Sequence, residues 1–377
     1  MAGPGLMGRA VRAAVMALAA GVAFAPAVSA QSYWVYVANE SSDLVSRVRF
    51  DGETVVEEKA IEVGFHPADL DGAHGIAVSP NGRHWYVSIA HGQPYGQVWK
   101  METGTDQLVD SAEVGLFPAT MALTPDGGSL FVVNFNLHGD HVPSSVSAVF
   151  TPFMQQTTQV ETCVMPHGSR ISPDGTRHYS TCMMSDQLVE TSVGTMAVSR
   201  RMTLTGGMEG PLMMHEDGRA MEMGGMSMGG DNVCKPTWVS PSPDGQRLYV
   251  PCNGRGDVLE IDASSLEVLR VLPAGRGPYN ADLTPDGSTL VVTLKGDQAV
   301  AIYDLATGEE TRVATTQPVT HGVVVSPDGR YAFVTNEAVG ATRGTLDVID
   351  LEAGRIAAST ELHYQPGGIG FWKMEGN

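Results

Sequence analysis

The chain has 377 residues, with 23 basic against 42 acidic side chains, a formal net charge of −19, and only four cysteines. An acidic excess of that size argues against nucleic acid and anionic lipid as partners; its ordinary consequence is a well-solvated surface. At this length two domains would be usual, unless the chain grows by repetition.

Residues 1–30 read as an export signal. Arg9 and Arg12 form a basic start, Ala13 to Val28 an apolar run, and Val28-Ser29-Ala30 a small-residue cleavage site. The run is short for a membrane anchor and contains Pro26. No cysteine follows the cleavage site to take a lipid, and no later stretch is long and apolar enough to span a bilayer. The mature chain is expected to begin at Gln31, to carry 21 basic and 42 acidic residues, net −21, and to be periplasmic or secreted, where thiols oxidise.

The mature chain opens on YWVYVAN (33–39), a strand with no first strand before it. A repeated unit follows, seen most fully in THGVVVSPDGRYAFVTN (320–336): a strand, a tight Pro-Asp-Gly turn and a second strand. Pro presets φ at the first central position and Gly supplies the positive φ that lets the chain reverse, so the unit reads as a β-hairpin. The same turn occurs as SPNG at 79–82, TPDG at 124–127, SPDG at 172–175 and 242–245, and TPDG at 284–287.

The second strands carry Tyr-Val-Ala-Asn (36–39), Phe-Val-Val-Asn (131–134) and Phe-Val-Thr-Asn (333–336). With the six turns they resemble the YVTN family of β-propeller repeat proteins over about residues 33–373. That resemblance implies a propeller and, since the family is mostly exported proteins of unassigned role, says little of function. At the fold level the chain is also similar to the propellers of cytochrome d1 nitrite reductases and nitrous-oxide reductase.

Blades are counted at the residue five positions before each turn: His74, Ala119, His167, Thr237, Tyr279 and His321, with Gly367 in the equivalent place of the C-terminal GGIGFW. The intervals are 45, 48, 70, 42, 42 and 46 residues, so one crossover carries an insert. The C-terminal strand lacks a hairpin partner and the N-terminal strand lacks a first strand; together they complete one blade, which leaves no open sheet edge. The expectation is an all-β chain: a single domain over 31–377, a seven-bladed β-propeller of four-stranded blades closed by its termini, with a Met-rich insert at 206–236.

In such blades the SPDG turns lie on one face, and the B–C loops and D–A crossovers on the other, called here the upper face. Nine of the eleven histidines, all but His84 and His178, and all four cysteines fall on the upper side. His74, His167 and His321 begin inner strands, each before a glycine, and are expected around the upper mouth of the axial channel. Two readings fit them: hydrogen bonds that close the mouth between blades, or an axial metal or ligand site.

The insert carries Met208, Met213, Met214, Met221, Met223, Met226 and Met228 with His215, spaced by Gly and acids. It is long for a plain connection. Thioether is a soft ligand that selects Cu(I), and the segment is similar to Met-rich loops of exported copper-handling proteins. Copper is therefore the candidate cofactor, with Met183 and Met184 as nearby donors; a flexible, oxidation-buffering loop is the other reading. No Cys-x-x-Cys-His occurs, which excludes covalent c-type haem.

Cys182 and Cys252 replace the Asn of the YVTN motif, and Cys163 and Cys234 lie in the crossovers entering the same two blades. Counting register back from the turns sets Cys252 opposite about Pro236 and Cys182 opposite His167. Disulfides Cys163–Cys182 and Cys234–Cys252 follow; a thiolate metal site with Met183, Met184 and His167 is the alternative.

The function expected is that of a binding protein, with no catalytic residue identified. Its partner is a metal ion or small ligand, or another exported protein, and a monomer is expected. A metal-free interaction scaffold and a lactonase-like or oxidoreductase propeller are the alternatives. Arg276, Lys235 and Lys295 are placed to reach the upper face, where they could receive an acidic group.

Overall fold

The computed structural model describes residues 1–3, 31–65, 69–91, 96–205, 208–209 (backbone only) and 233–376. The segments assigned from sequence to the export signal and to most of the Met-rich insert lie outside these residues.

Seven antiparallel sheets form a ring. Blades one to six, in chain order, span residues 73–113, 118–164, 166–209, 236–273, 278–314 and 320–361. The seventh takes its inner strand, Pro366–Gly376, from the C-terminus and its outer three, Gln31–Asn39, Leu44–Phe50 and Val55–Glu62, from the N-terminus. Tyr33 faces Met374 and Val35 faces Phe371 across the closing pair. The fold expected from the repeats is the one observed. Among the described residues no helix is long and apolar enough to cross a membrane.

Each turn works as its composition demands. The Ser or Thr hydroxyl bonds the turn Asp, as in Ser172 to Asp174 and Ser326 to Asp328 (2.5 and 2.6 Å), and accepts an N–H from the second strand. The turn glycines sit at φ between 68° and 73°, which a side chain would strain.

The core lies between blades. Strand residues alternate faces and interdigitate with the next blade, as where Tyr36 of the seventh blade stacks on Trp85 of the first (4.8 Å) and Trp372 donates to the Gly82 carbonyl (3.1 Å). Trp85 and Tyr36 are fully buried.

The Asn of the YVTN motif ties strand B to strand C. Asn39 donates to Ser46 Oγ (2.9 Å), Asn134 to Ser145 and Ser147 (both 2.9 Å), and Asn336 to Thr345 and Asp347 (3.0 and 2.9 Å). In blades three and four cysteine takes this place, and both expected disulfides form, Cys163–Cys182 and Cys234–Cys252. Cys163 lies in the outer strand of blade two and not in the crossover, so its bond to Cys182 joins blade two to blade three, while Cys234–Cys252 ties the segment entering blade four to that blade's strand B. Cys252 faces Pro236, as counted. Cys182 faces Pro166, one residue from the count, because the pairing is irregular between Pro166 and Ser169.

Candidate functional site

A left-handed residue precedes every inner strand: Gly72, Phe117, Met165, Lys235, Gly277, Val319 and Gln365 have φ between 47° and 71°. This bend turns each crossover down into the channel wall. In six blades the carbonyl of that residue accepts the N–H of the residue just after strand B, at 2.8–3.0 Å: Ala90 to Gly72, Phe135 to Phe117, Met183 to Met165, Lys295 to Gly277, Glu337 to Val319 and Glu40 to Gln365. The upper rim is therefore a fixed ring of backbone bonds, and the residues after the YVTN position are set around the mouth.

Inside that rim His74, His167 and His321 meet, as their positions predicted. Aromatic rings close a circuit from His74 to Phe117, Phe135, His167, Tyr279, His321 and back, with successive centroids 5.5, 5.9, 5.0, 5.5, 4.5 and 6.4 Å apart. His74 and His167 are 6.3 Å apart across it. This collar stoppers the upper end of the channel.

Each histidine has a distinct electrostatic state. His167 places Nδ1 2.8 Å from the Thr237 carbonyl and accepts the Tyr279 hydroxyl at Nε2 (3.1 Å). Both nitrogens are engaged, and burial, reinforced by His74, pushes its pKa down to about 3. It is a neutral strut between blades three, four and five. His321 is also held neutral, by burial and then by Lys295 and His74; its Nε2 is 3.3 Å from Glu337 and its Nδ1 has no partner among the described residues.

His74 differs. Burial works against its charge, but Glu40, 2.8 Å from Nδ1, outweighs burial and raises its pKa. The Glu40 carboxyl feels the same pair from the other side: burial would raise it, and His74 and His91 hold it well below the usual range. Glu40 also contacts His91 Nε2 (3.1 Å) and accepts from Gln365 (3.0 Å). Opposite, Lys295 bonds Glu337 (3.0 Å) and sits over the Tyr279 ring (4.4 Å). Burial raises Glu337 despite that lysine, and burial likewise raises Tyr279.

The mouth thus has two unlike walls. Blades five to seven, with His74, supply ionic groups. Blades one to three supply an apolar cluster of Ala90, Phe117, Ala119 and Phe135, with the Met165 and Met183 side chains packed on it. His91 and His138 lean on the same cluster, their centroids 5.0 and 5.3 Å from Phe117. Met184 follows Met183 in the B–C turn.

Met213, Met214, His215, Met221, Met223, Met226 and Met228 lie outside the described residues; Met208 extends blade three by pairing with Thr203. Among the described residues no group of three His, Cys, Asp or Glu is placed to hold a metal ion. Of the basic residues expected on this face, Lys295 is committed to Glu337 and Arg276 to Asp297 (2.6 Å), while the Lys235 amide donates to Asp186 (2.8 Å). Glu40, Glu337, His91, Phe117, Phe135 and Met165 had no sequence signal beyond their places just after strand B or just before strand A.

No protein-family model matches the chain, and no curated protein matches it. Among solved structures it is similar to the periplasmic gluconolactonase PpgL of Pseudomonas aeruginosa, with TM-score 0.67 and 17% identity over 91% of this chain and 99% of that one. It is similar to a putative 6-phosphogluconolactonase of Bacteroides fragilis, with TM-score 0.65 and 17% identity over 93% and 99%. It also resembles Kuenenia stuttgartiensis hydrazine synthase, with TM-score 0.59 and 21% identity over 77% and 81%. At these identities the likeness shows the propeller fold alone.

Proposed function

We propose that this chain is an exported, non-catalytic propeller that captures Cu(I) on its upper face. The observation that carries the reading is one sector of the mouth: Met165 and Met183 pack on the Phe117–Phe135 cluster, and His74, His91 and His138 border it. Thioether and neutral imidazole are the donors Cu(I) prefers. His74 is set as ligating histidines usually are, with Nδ1 on a carboxylate and no partner at Nε2 among the described residues. His167, with both nitrogens engaged, supports the site without donating. The repeat count expects the Met-rich crossover on the upper face, and Cys234, which follows it in sequence, is bonded to Cys252. The two disulfides fit an oxidising compartment.

Anaerobic competition against a Cu(I) chelator tests this. Thioethers do not titrate in the working range, so capture by the crossover should be nearly independent of pH. Sites that recruit His74 should weaken as pH falls through its folded pKa, which Glu40 holds above the ordinary imidazole value. Deleting residues 208–230 should remove the pH-insensitive class and leave the ring folded; M165L/M183L should weaken the other. Equal affinity in all three proteins eliminates the insert and the Met165–Met183 pair as copper ligands and puts a metal-free scaffold in front.

A second reading, lactone hydrolysis, is favoured by the lactonase names of two structural neighbours and by two carboxylates, Glu40 and Glu337, at the mouth. Both are engaged by His or Lys, and the collar closes the channel beneath them. Turnover of glucono-δ-lactone above the buffer rate, lost in E337Q, is the result this reading requires.

A further inference from the structure

A cleft of about 620 Å³ opens on the upper side between the outer parts of blades one and two, and none of the proposed copper donors lines it. Its size is that of a small-molecule site. One wall is the outer strand of blade two, Gln155–Val164, which contributes Gln156, Gln159 and Glu161. Their cross-strand partners are Val149, Ser147 and Ser145, and residues paired across a sheet share a face. Val149 packs in the core between blades one and two, so this face turns toward blade one. The other wall is the end of blade one and the start of its crossover, from Glu113 to Leu116.

The backbone of that second wall is fixed by its own hydrogen bonds. The Gly115 amide donates to Asn134 Oδ1 (3.0 Å), and Val114 and Gly115 exchange backbone hydrogen bonds with Gly96 at 3.0 and 3.2 Å. A side chain at position 115 would run into Asn134 and would set its Cβ 2.7 Å from Gln159 Nε2. The Gln159 carboxamide therefore lies close against the crossover. Gln156, Gln159, Glu113 and Glu161 nonetheless have no side-chain hydrogen bond or ion pair among the described residues. Glu161 attracts Arg201 only from beyond contact distance.

The lining discriminates by what it offers. Glu113 and Glu161 are acids and no Lys, Arg or His lines the cleft, which disfavours an anion. An ammonium ligand would suit the carboxylates but leave the amide N–H donors of Gln156 and Gln159 without acceptors. A hydroxyl is donor and acceptor at once, so an array of hydroxyls uses the amide N–H groups as well as the amide and carboxylate oxygens. Leu116, 39% exposed, and Pro143 add apolar surface for the C–H face of such a ligand.

We propose that the cleft between blades one and two binds a neutral saccharide, held by Gln156, Gln159 and Glu161 on one side and packed on Leu116 on the other.

The test applies biotinylated protein, gathered on streptavidin so that weak single sites add up, to an array of neutral, sulfated, sialylated and amino-sugar glycans. Binding should be confined to neutral glycans. Q156A/Q159A should lower it at least about tenfold, the loss of two hydrogen-bonding groups. L116D, acting from the other wall, should lower it as well. E161Q keeps a planar hydrogen-bonding group in place and should stay within about threefold of the parent, and spermidine should not compete. All four substituted side chains are exposed, and the melting temperature of each variant checks its fold. The proposal would be overturned by failure to bind any neutral glycan, by preference for charged glycans or by displacement with spermidine. Binding unchanged in Q156A/Q159A or L116D, or a loss in E161Q as deep as in Q156A/Q159A, would overturn it equally.

Discussion

Acidification should unfold this propeller through histidines that the fold keeps neutral. His167 is 1% exposed and His178 is fully buried, where Nε2 meets Ser169 Oγ (2.9 Å), the ring stacks on Phe131 and Nδ1 has no partner among the described residues. Burial sets both at about 3, His74 adding to the effect on His167. In the unfolded chain each takes up a proton near pH 6.5, so their contribution is intact above that value and is lost as pH falls from 6.5 toward the folded value. Between pH 7.5 and 5.0 each should cost about 2 kcal/mol, about 4 kcal/mol together. His321, also depressed by burial, acts in the same direction. His74 acts in the opposite one, since its folded pKa is raised: its contribution is full below 6.5 and lost as pH rises through its folded value. Urea denaturation at the two pH values measures the difference, and H178F should lose about 2 kcal/mol less than the parent over the same interval. A parent equally stable at pH 5.0 and 7.5, or an H178F protein with the parent's pH dependence, would refute the reasoning.

Deleting Phe371 to Asn377 strips the closing inner strand of Phe371 and Trp372, the latter in contact with Tyr36, and should lower the stability of the whole ring by more than about 5 kcal/mol in one transition; independent melting of two halves by calorimetry would contradict a single domain. Replacing Cys163 and Cys182 together by serine should cost about 3 kcal/mol, because the bond closes a loop between residues 19 apart in sequence and joins the outer strand of blade two to strand B of blade three; denaturation of the double variant without reductant reads it. Protein recovered from its native host should have the intact mass of a chain starting at Gln31, and a retained Met1 would rule out cleavage of the first 30 residues.

The turns were readable because their chemistry is local. Ser, Pro, Asp and Gly at fixed offsets make the same hydrogen bonds wherever they occur, so six copies set the strand order, the blade count and the register that places Cys252 opposite Pro236. The axial histidines were readable for the same reason, since position along an inner strand determines height in the channel. Their partners were not. Glu40 reaches His74 across the seam that joins the two ends of the chain, and Tyr279 reaches His167 across a blade. Such contacts depend on how blades tilt together, which no spacing within one repeat encodes. Trp238 is the intermediate case: its place in a glycine column is visible in the sequence, but the contact with Arg170 is visible only in the fold. The same substitution accompanies a shortened inner strand in blade four, Ser240–Pro241.

Copper K-edge absorption on protein loaded anaerobically with one equivalent of Cu(I) tests the functional claim most directly. Capture by the crossover and by Met165 and Met183 predicts a first shell dominated by sulfur, with scattering from imidazole that fades on acidification. With both disulfides intact, that sulfur can come only from thioethers. A shell of nitrogen and oxygen alone, or a sulfur shell unchanged in protein lacking residues 208–230 and carrying M165L/M183L, would contradict it.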